Sequence, residues 1–115
     1  LLSDIVAAEE PGYDTFLQTI ELLRDRSHVR DHSISQWQAM FAQLGLSATV
    51  LMTWALPLNF QAWVTRMDTP QNYVQIIKQL FDTAPGDVRQ AFTINEEYNF
   101  TIPGALFEVG PKHRI

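Results

Sequence analysis

Cysteine is absent from this 115-residue chain. That excludes disulfides, thiolate metal sites and thiol nucleophiles. Basic residues are scarce, with 8 Lys and Arg against 13 Asp and Glu, for a formal net charge of -5. Nucleic-acid binding needs Lys and Arg against phosphate, so no nucleic-acid partner is expected. Glycine is scarce too, at 5 residues, and no two are closer than Gly104 and Gly110. No apolar run approaches the length of a membrane span and no signal peptide is visible, so a cytoplasmic protein is expected. What remains is ordinary for a folded domain. Hydrophobic residues make up 46% and aromatics 11%, which excludes wholesale disorder. The length suits a single domain over residues 1–115. The chain begins Leu1-Leu2-Ser3 rather than with Met, so it is expected to be a piece of something longer.

Leu1 to Val6 is a short apolar stretch bounded by the turn Glu9-Glu10-Pro11-Gly12, and it reads as a buried strand of the kind found in parallel sheets. Phe16, Ile20 and Leu23 follow at helical spacing. Thr15 and Gln18 have the spacing of a capping box, which predicts a helix over about 14–25. Ser33 and Gln36 repeat that spacing ahead of Trp37, Met40, Phe41 and Leu44 on one helical face, and Gly45 stands where a left-handed C-terminal cap is wanted. Ala48 to Leu56 alternates as a strand that Pro57 ends. Asn59 would cap a helix carrying Phe60, Trp63, Val64 and Met67. Thr69 and Pro70 would open a longer one whose inner face is Tyr73, Ile77, Leu80 and Ala84, ended by Pro85-Gly86. A short helical piece over 87–91 and a partly alternating strand from Asn99 to Val109 complete the chain, with Lys112, His113 and Arg114 as a polar end. Three strands make a thin sheet. The order strand, two helices, strand, two or three helices, strand therefore reads as the end of an α/β domain.

The string Leu23-Arg24-Asp25-Arg26-Ser27-His28-Val29-Arg30, with Ser33, Trp37 and Gly45 after it, resembles a segment of small-molecule methyltransferases that use S-adenosylmethionine. The branch is that of the ubiquinone and menaquinone biosynthesis methyltransferases. Ser3-Asp4-Ile5-Val6-Ala7 resembles that family's fifth strand and following loop. Trp54 to Pro70, with Phe60-Gln61-Ala62-Trp63-Val64-Thr65-Arg66-Met67, is similar to the same branch. The resemblance covers nearly the whole chain but only the C-terminal half of the family's domain. It implies an α/β fold, the C-terminal part of a Rossmann-like methyltransferase domain. That part would be a small mixed three-stranded sheet, its last strand antiparallel between the other two, with four to five helices. It also implies methyl transfer to a small molecule with S-adenosylmethionine as cofactor in the intact family. The glycine-rich cofactor loop belongs to the other half, and no such loop exists here. The chain alone is therefore expected to be inactive and to bind no cofactor, and no cofactor-binding residue is assigned.

His28 and His32 are four apart with Asp25 and Asp31 nearby, a set that could bind zinc. No Glu is placed as in a zinc protease, and the Ser33 cap puts His32 in a loop, so no metal site is assigned. Histidine suits acceptor deprotonation near neutrality. By the resemblance His28 is a candidate base, and Arg30, Trp63 and Arg66 are candidate substrate-binding residues. The alternative is that Arg24, Asp25, Ser27 and His28 tie down the turn between two helices. Trp54, Trp63 and Tyr73 could line an aromatic pocket or belong to the core. Ser3 and Asp4 lie near the carboxyl end of the first strand, where open α/β sheets gather ligands. The competing function is a non-catalytic dimeric binding or assembly module derived from the same fold. In either case the exposed edge of the first strand predicts a homodimer.

Overall fold

A computed structural model describes residues 1–112. His113 and Arg114 of the expected polar end lie outside the described residues. The elements run β1 (Leu2–Ile5), α1 (Pro11–Arg24), α2 (Ile34–Gln43), β2 (Leu46–Leu58), α3 (Phe60–Arg66), α4 (Gln71–Thr83), α5 (Gly86–Ala91) and β3 (Phe100–Pro111). The three strands form one sheet in the order β1-β3-β2. β3 is antiparallel to both neighbours. The last strand thus lies between the other two, as the resemblance implied. Among the described residues β1 has no parallel partner, and its pattern is only half-buried with Ser3 and Asp4 exposed, which corrects the reading of it as a strand covered on both faces. The tight apolar residues are the next two, Val6 and Ala7, just beyond its end.

The sheet has a core on each face. Phe100 and Ile102 of β3 join Leu17, Ile20, Phe60, Trp63, Ile77 and Phe81 on one side. Ala105 and Phe107 of the same strand join Val6 and Ala48 on the other, under Trp37 and Phe41 of α2. Residues an even number apart on a strand share a face, so the step from Ile102 to Ala105 is ordinary alternation. β2 is different. Val50 pairs with Phe107 and packs on the α2 side, whereas Leu56 pairs with Ile102 and Leu58 with Phe100 on the other side. Val50, Leu56 and Leu58 have the same parity. The register shift between Val50 and Met52 inserts one extra residue and turns the second half of the strand over. The simple alternation expected over Ala48 to Leu56 is therefore broken at Leu51. Pro57 does not end the strand but pairs with Thr101 inside it. β2 is an edge strand, where a missing N–H is tolerated.

Several local signals act as the sequence suggests. Ser33 and Gln36 form a reciprocal capping box on α2. The Asn59 side chain accepts from Ala62 N at 2.9 Å and opens α3. Gly45 has φ 76° after α2, a conformation that favours glycine. Others act differently. α1 begins three residues earlier than expected, with Pro11 in its first turn and the Glu10 carboxylate accepting from Tyr13 N at 2.7 Å. Thr15 and Gln18 lie inside that helix and cap nothing. Thr69 does not cap α4, because its hydroxyl donates to Arg24 O at 2.8 Å. Met40 and Leu44 of the expected α2 face are exposed, Leu44 at 74%. On α4 the buried positions are Val74, Ile77 and Phe81, one step round from the expected stripe. Among the described residues no helix is long and apolar enough to cross a membrane.

Candidate functional site

The connection from α1 to α2 folds back over α1. Asp25 starts the reversal by accepting from Ser27 Oγ at 2.7 Å and Ser27 N at 3.0 Å. The Ser27 hydroxyl and then its N–H hold the Asp25 carboxyl below the usual range. His28 N donates to Asp25 O at 3.0 Å, closing the turn. The His28 ring then lies against the side of α1 that carries Gln18 and Glu21.

Gln18 organises the cluster. Its Nε2 donates to Asp14 Oδ1 at 2.9 Å and to Asp31 O at 3.1 Å. Both are acceptors, so the amide is oriented with Oε1 toward His28, whose Nε2 is 3.0 Å away. Oε1 also accepts from Asp31 N at 3.3 Å. His28 Nε2 also faces Glu21 Oε2 at 3.2 Å. With two oxygen acceptors before it, Nε2 carries the ring hydrogen and Nδ1 is left as the basic nitrogen.

Glu21 is only 6% exposed. Burial first, and then the Asp31 carboxyl beside it, push its pKa up to about 9, with Arg24 opposing. At neutral pH the contact with His28 is accordingly a hydrogen bond to a neutral acid rather than an ion pair. Glu21 Oε2 accepts from His28 Nε2. Among the described residues Asp31 Oδ2 is buried with no hydrogen-bond partner. Arg24 turns elsewhere. Its NH1 donates to Trp63 O at 3.4 Å, and its guanidinium lies 4.9 Å from the Trp63 ring centre.

The remaining candidates separate. Arg30 pairs with Asp14, which is itself held by Gln18, so it borders the cluster. Trp63 is buried in the larger core with its ring edge-on to Phe100 at 5.0 Å. Arg66 is exposed in the last turn of α3. Tyr73 accepts a hydrogen bond from Arg26 at 3.0 Å. His32 gives its carbonyl to Ala7 N at 2.9 Å and its ring edge to Trp37, away from His28. Asp4 is exposed, and its side chain accepts from Ile5 N at 2.8 Å.

A separate cleft of about 520 Å³ opens beside the carboxyl end of β1, bordered by Val6 to Glu9, Tyr13, Trp54 and Thr101 to Gly104. Of the aromatic candidates only Trp54 borders it. Glu9 at its rim takes the Ser35 hydroxyl at 2.8 Å, and its carboxyl is held below the usual range by the Ser33 and Ser35 hydroxyls.

Glu21 and Gln18 are the residues that sequence reasoning passed over. A signal existed for Glu21. Leu17 and Ile20 precede it at helical spacing on the inward face of α1, so an acid continues an apolar stripe. Gln18 carried no such signal, since its role depends on where the following loop returns.

No protein-family model matches the chain. Two curated relatives do. An uncharacterized protein of Escherichia coli (strain K12), YafE, is 36% identical over 101 residues, covering 88% of this chain and 49% of its own length. An uncharacterized methyltransferase of Bacillus subtilis (strain 168), YcgJ, is 36% identical over 99 residues, covering 86% of this chain and 39% of its own. The crystal structure of YcgJ superposes with a TM-score of 0.89 at 32% identity over 98% of this chain and 50% of that one. BH2331 of Bacillus halodurans, a candidate methyltransferase, gives a TM-score of 0.86 at 25% identity over 94% and 53%. The chain thus spans about half the length of the relatives it matches.

Proposed function

We propose that this chain, a relative of the methyltransferases over one half of their length, is the C-terminal, substrate-side half of an S-adenosylmethionine-dependent small-molecule methyltransferase. One observation carries the reading. Nearly all of the chain, with its β1-β3-β2 order and covering helices, superposes on half of YcgJ. The cofactor site is a different matter. Glycine lets backbone approach a cofactor closely, but two of the five glycines here serve the fold instead. Gly45 caps α2, and the space beside Gly104 is filled by Trp54, whose Cε2 would lie 2.6 Å from a Cβ there. On this reading cofactor binding is assigned to the other half of the relatives' domain.

What this chain supplies is the acceptor side. His28 is the base, acting through Nδ1, with Gln18 and Glu21 fixing its ring. Arg30 is the substrate-binding group nearest the cluster through Asp14. Arg66 and Trp63 stand on α3, apart from it. The compartment is cytoplasmic on this reading.

Calorimetry with S-adenosylmethionine tests the division of labour. This chain is expected to give no saturable heat up to millimolar ligand. A chimera in which it replaces the matching half of YcgJ is expected to bind the cofactor and to label an acceptor in a radiolabelled methyl-transfer screen. His28→Ala in that chimera should lower turnover about 100-fold or more with cofactor affinity unchanged. Micromolar binding by the chain alone, or a folded chimera that binds none, overturns the proposal.

The edge of β1 bears on assembly. β1 lies at one end of the sheet order, so its outer backbone groups pair with no strand among the described residues. Leu1 beside it is exposed. Such an edge is a template for another strand, and we propose that two copies of the chain dimerise through it. Sedimentation equilibrium at micromolar concentration is expected to return twice the chain mass. A stable monomer, or a dimer unaffected by Ser3→Pro, excludes pairing through β1.

A further inference from the structure

The cluster between α1 and the α1–α2 connection gathers more oxygen and nitrogen lone pairs than hydrogens to fill them. Donor atoms of Glu21, His28 and Asp31 all lie within 4.8 Å of one another. Gln18 Oε1 and Glu21 Oε2 stand 3.0 Å and 3.2 Å from His28 Nε2. Ligand atoms about 2.0–2.2 Å from a single zinc ion are separated from each other by roughly 3.0–3.5 Å, so these spacings are edges of a coordination shell. Two further observations point to a ligand. Among the described residues Asp31 Oδ2 is buried without a hydrogen-bond partner, and Glu21 is buried with no Arg or Lys in ion-pair contact. The cations nearby in sequence are used elsewhere, Arg30 on Asp14 and Arg24 on Trp63.

We propose that Gln18, Glu21, His28 and Asp31 form a site for one divalent first-row cation, with zinc the best match to one imidazole, two carboxylates and one amide oxygen. The hydrogen of His28 Nε2 moves to Nδ1, and Glu21 gives its carboxyl hydrogen to solvent, so that the donor atoms meet the cation as lone pairs. This set differs from the His28–His32 pair that the sequence offers, because His32 turns to Trp37 and only its carbonyl is engaged, by Ala7. Bound there, the cation ties the return of the connection to α1. The site needs no cofactor and no acceptor, but a bound cation and the base role proposed for His28 exclude each other, because Nδ1 carries the ring hydrogen once Nε2 meets the cation.

The chain, treated with chelator and dialysed, is titrated with Co²⁺ followed by visible absorption, then with Zn²⁺ in competition. One equivalent is expected to bind, Zn²⁺ displacing Co²⁺, and saturating Zn²⁺ should raise the melting temperature by roughly 5 °C or more. His28→Ala and Asp31→Asn should each weaken binding about tenfold or more, and His32→Ala should leave it unchanged. Where His28→Ala is too unstable to titrate, Asp31→Asn makes the same comparison. Absence of both the absorption band and the thermal shift overturns the proposal. So does binding that survives Asp31→Asn undiminished, which identifies an adventitious ion only.

Discussion

Glu21→Gln is expected to leave the stability of the metal-free chain nearly unchanged at pH 5 and to raise it at pH 8 to 9. The carboxyl titrates near 4.5 when unfolded and is pushed up to about 9 when folded, first by burial and then by Asp31. The folded state therefore holds a proton that the unfolded state releases. Stability from this group is fully present below about 4.5 and is lost as pH rises toward about 9. The limiting slope for one proton is about 1.4 kcal/mol per pH unit. We expect about 2–4 kcal/mol of the parent's stability to disappear between pH 5 and pH 8.5 in chelator. A Gln side chain reproduces the neutral acid. It can still accept from His28 Nε2 and has no carboxyl to ionise, so the variant should have a much flatter profile. Urea unfolding of both proteins at pH 5, 7 and 8.5 checks this. Parallel profiles would mean that Glu21 is ionised in the folded chain.

Phe81→Ala is expected to destabilise the chain by about 3–5 kcal/mol, enough to remove much of the stability of a small domain. Phe81 has no exposed surface. Its ring lies 5.2 Å from that of Phe100, 5.8 Å from those of Phe16 and Phe60, and 6.4 Å from that of Tyr98. These neighbours come from α1, α3, β3 and the loop before β3, so one deletion opens a cavity touching four parts of the larger core. Met40→Ala, on the exposed side of α2, is the comparison and should change stability by less than about 1 kcal/mol. Equal losses for the two variants in urea unfolding would contradict the placement of α4 in the core.

The two effects differ in kind. Phe81 acts through packing and is indifferent to pH, whereas Glu21 acts through a proton held where water is excluded. A network of this sort specifies one arrangement of the connection between α1 and α2, because each member has a partner only when the loop has returned. That is also what a site needs, whether for an acceptor or a cation. Gln18 is central to both readings, since its amide links Asp14, His28 and Asp31.

The sequence by itself determined the elements whose cause is local. Ser33 with Gln36, Asn59 and Gly45 each marked a helix end, because a cap is decided by residues within a turn of it. The order of strands and helices followed from periodicity, and the strings around His28 and Trp63 pointed to the methyltransferase relatives. Tertiary structure decided the rest. The inserted residue near Leu51 turns β2 over, and alternation cannot reveal it, since the parity of the apolar residues is the same on both sides. Thr15 and Gln18 had the spacing of a cap, but Glu10 and Pro11 start the helix, and Gln18 bonds instead to a loop that returns 13 residues later. Trp63 and Arg66 share α3, yet the first is core and the second is surface, because only the packing of α3 against β3 distinguishes its faces. The grouping of Glu21 with His28 and Asp31 depends on that same return of the chain. Their separations in sequence carry no distance until the turn at Asp25 brings the ring back over α1.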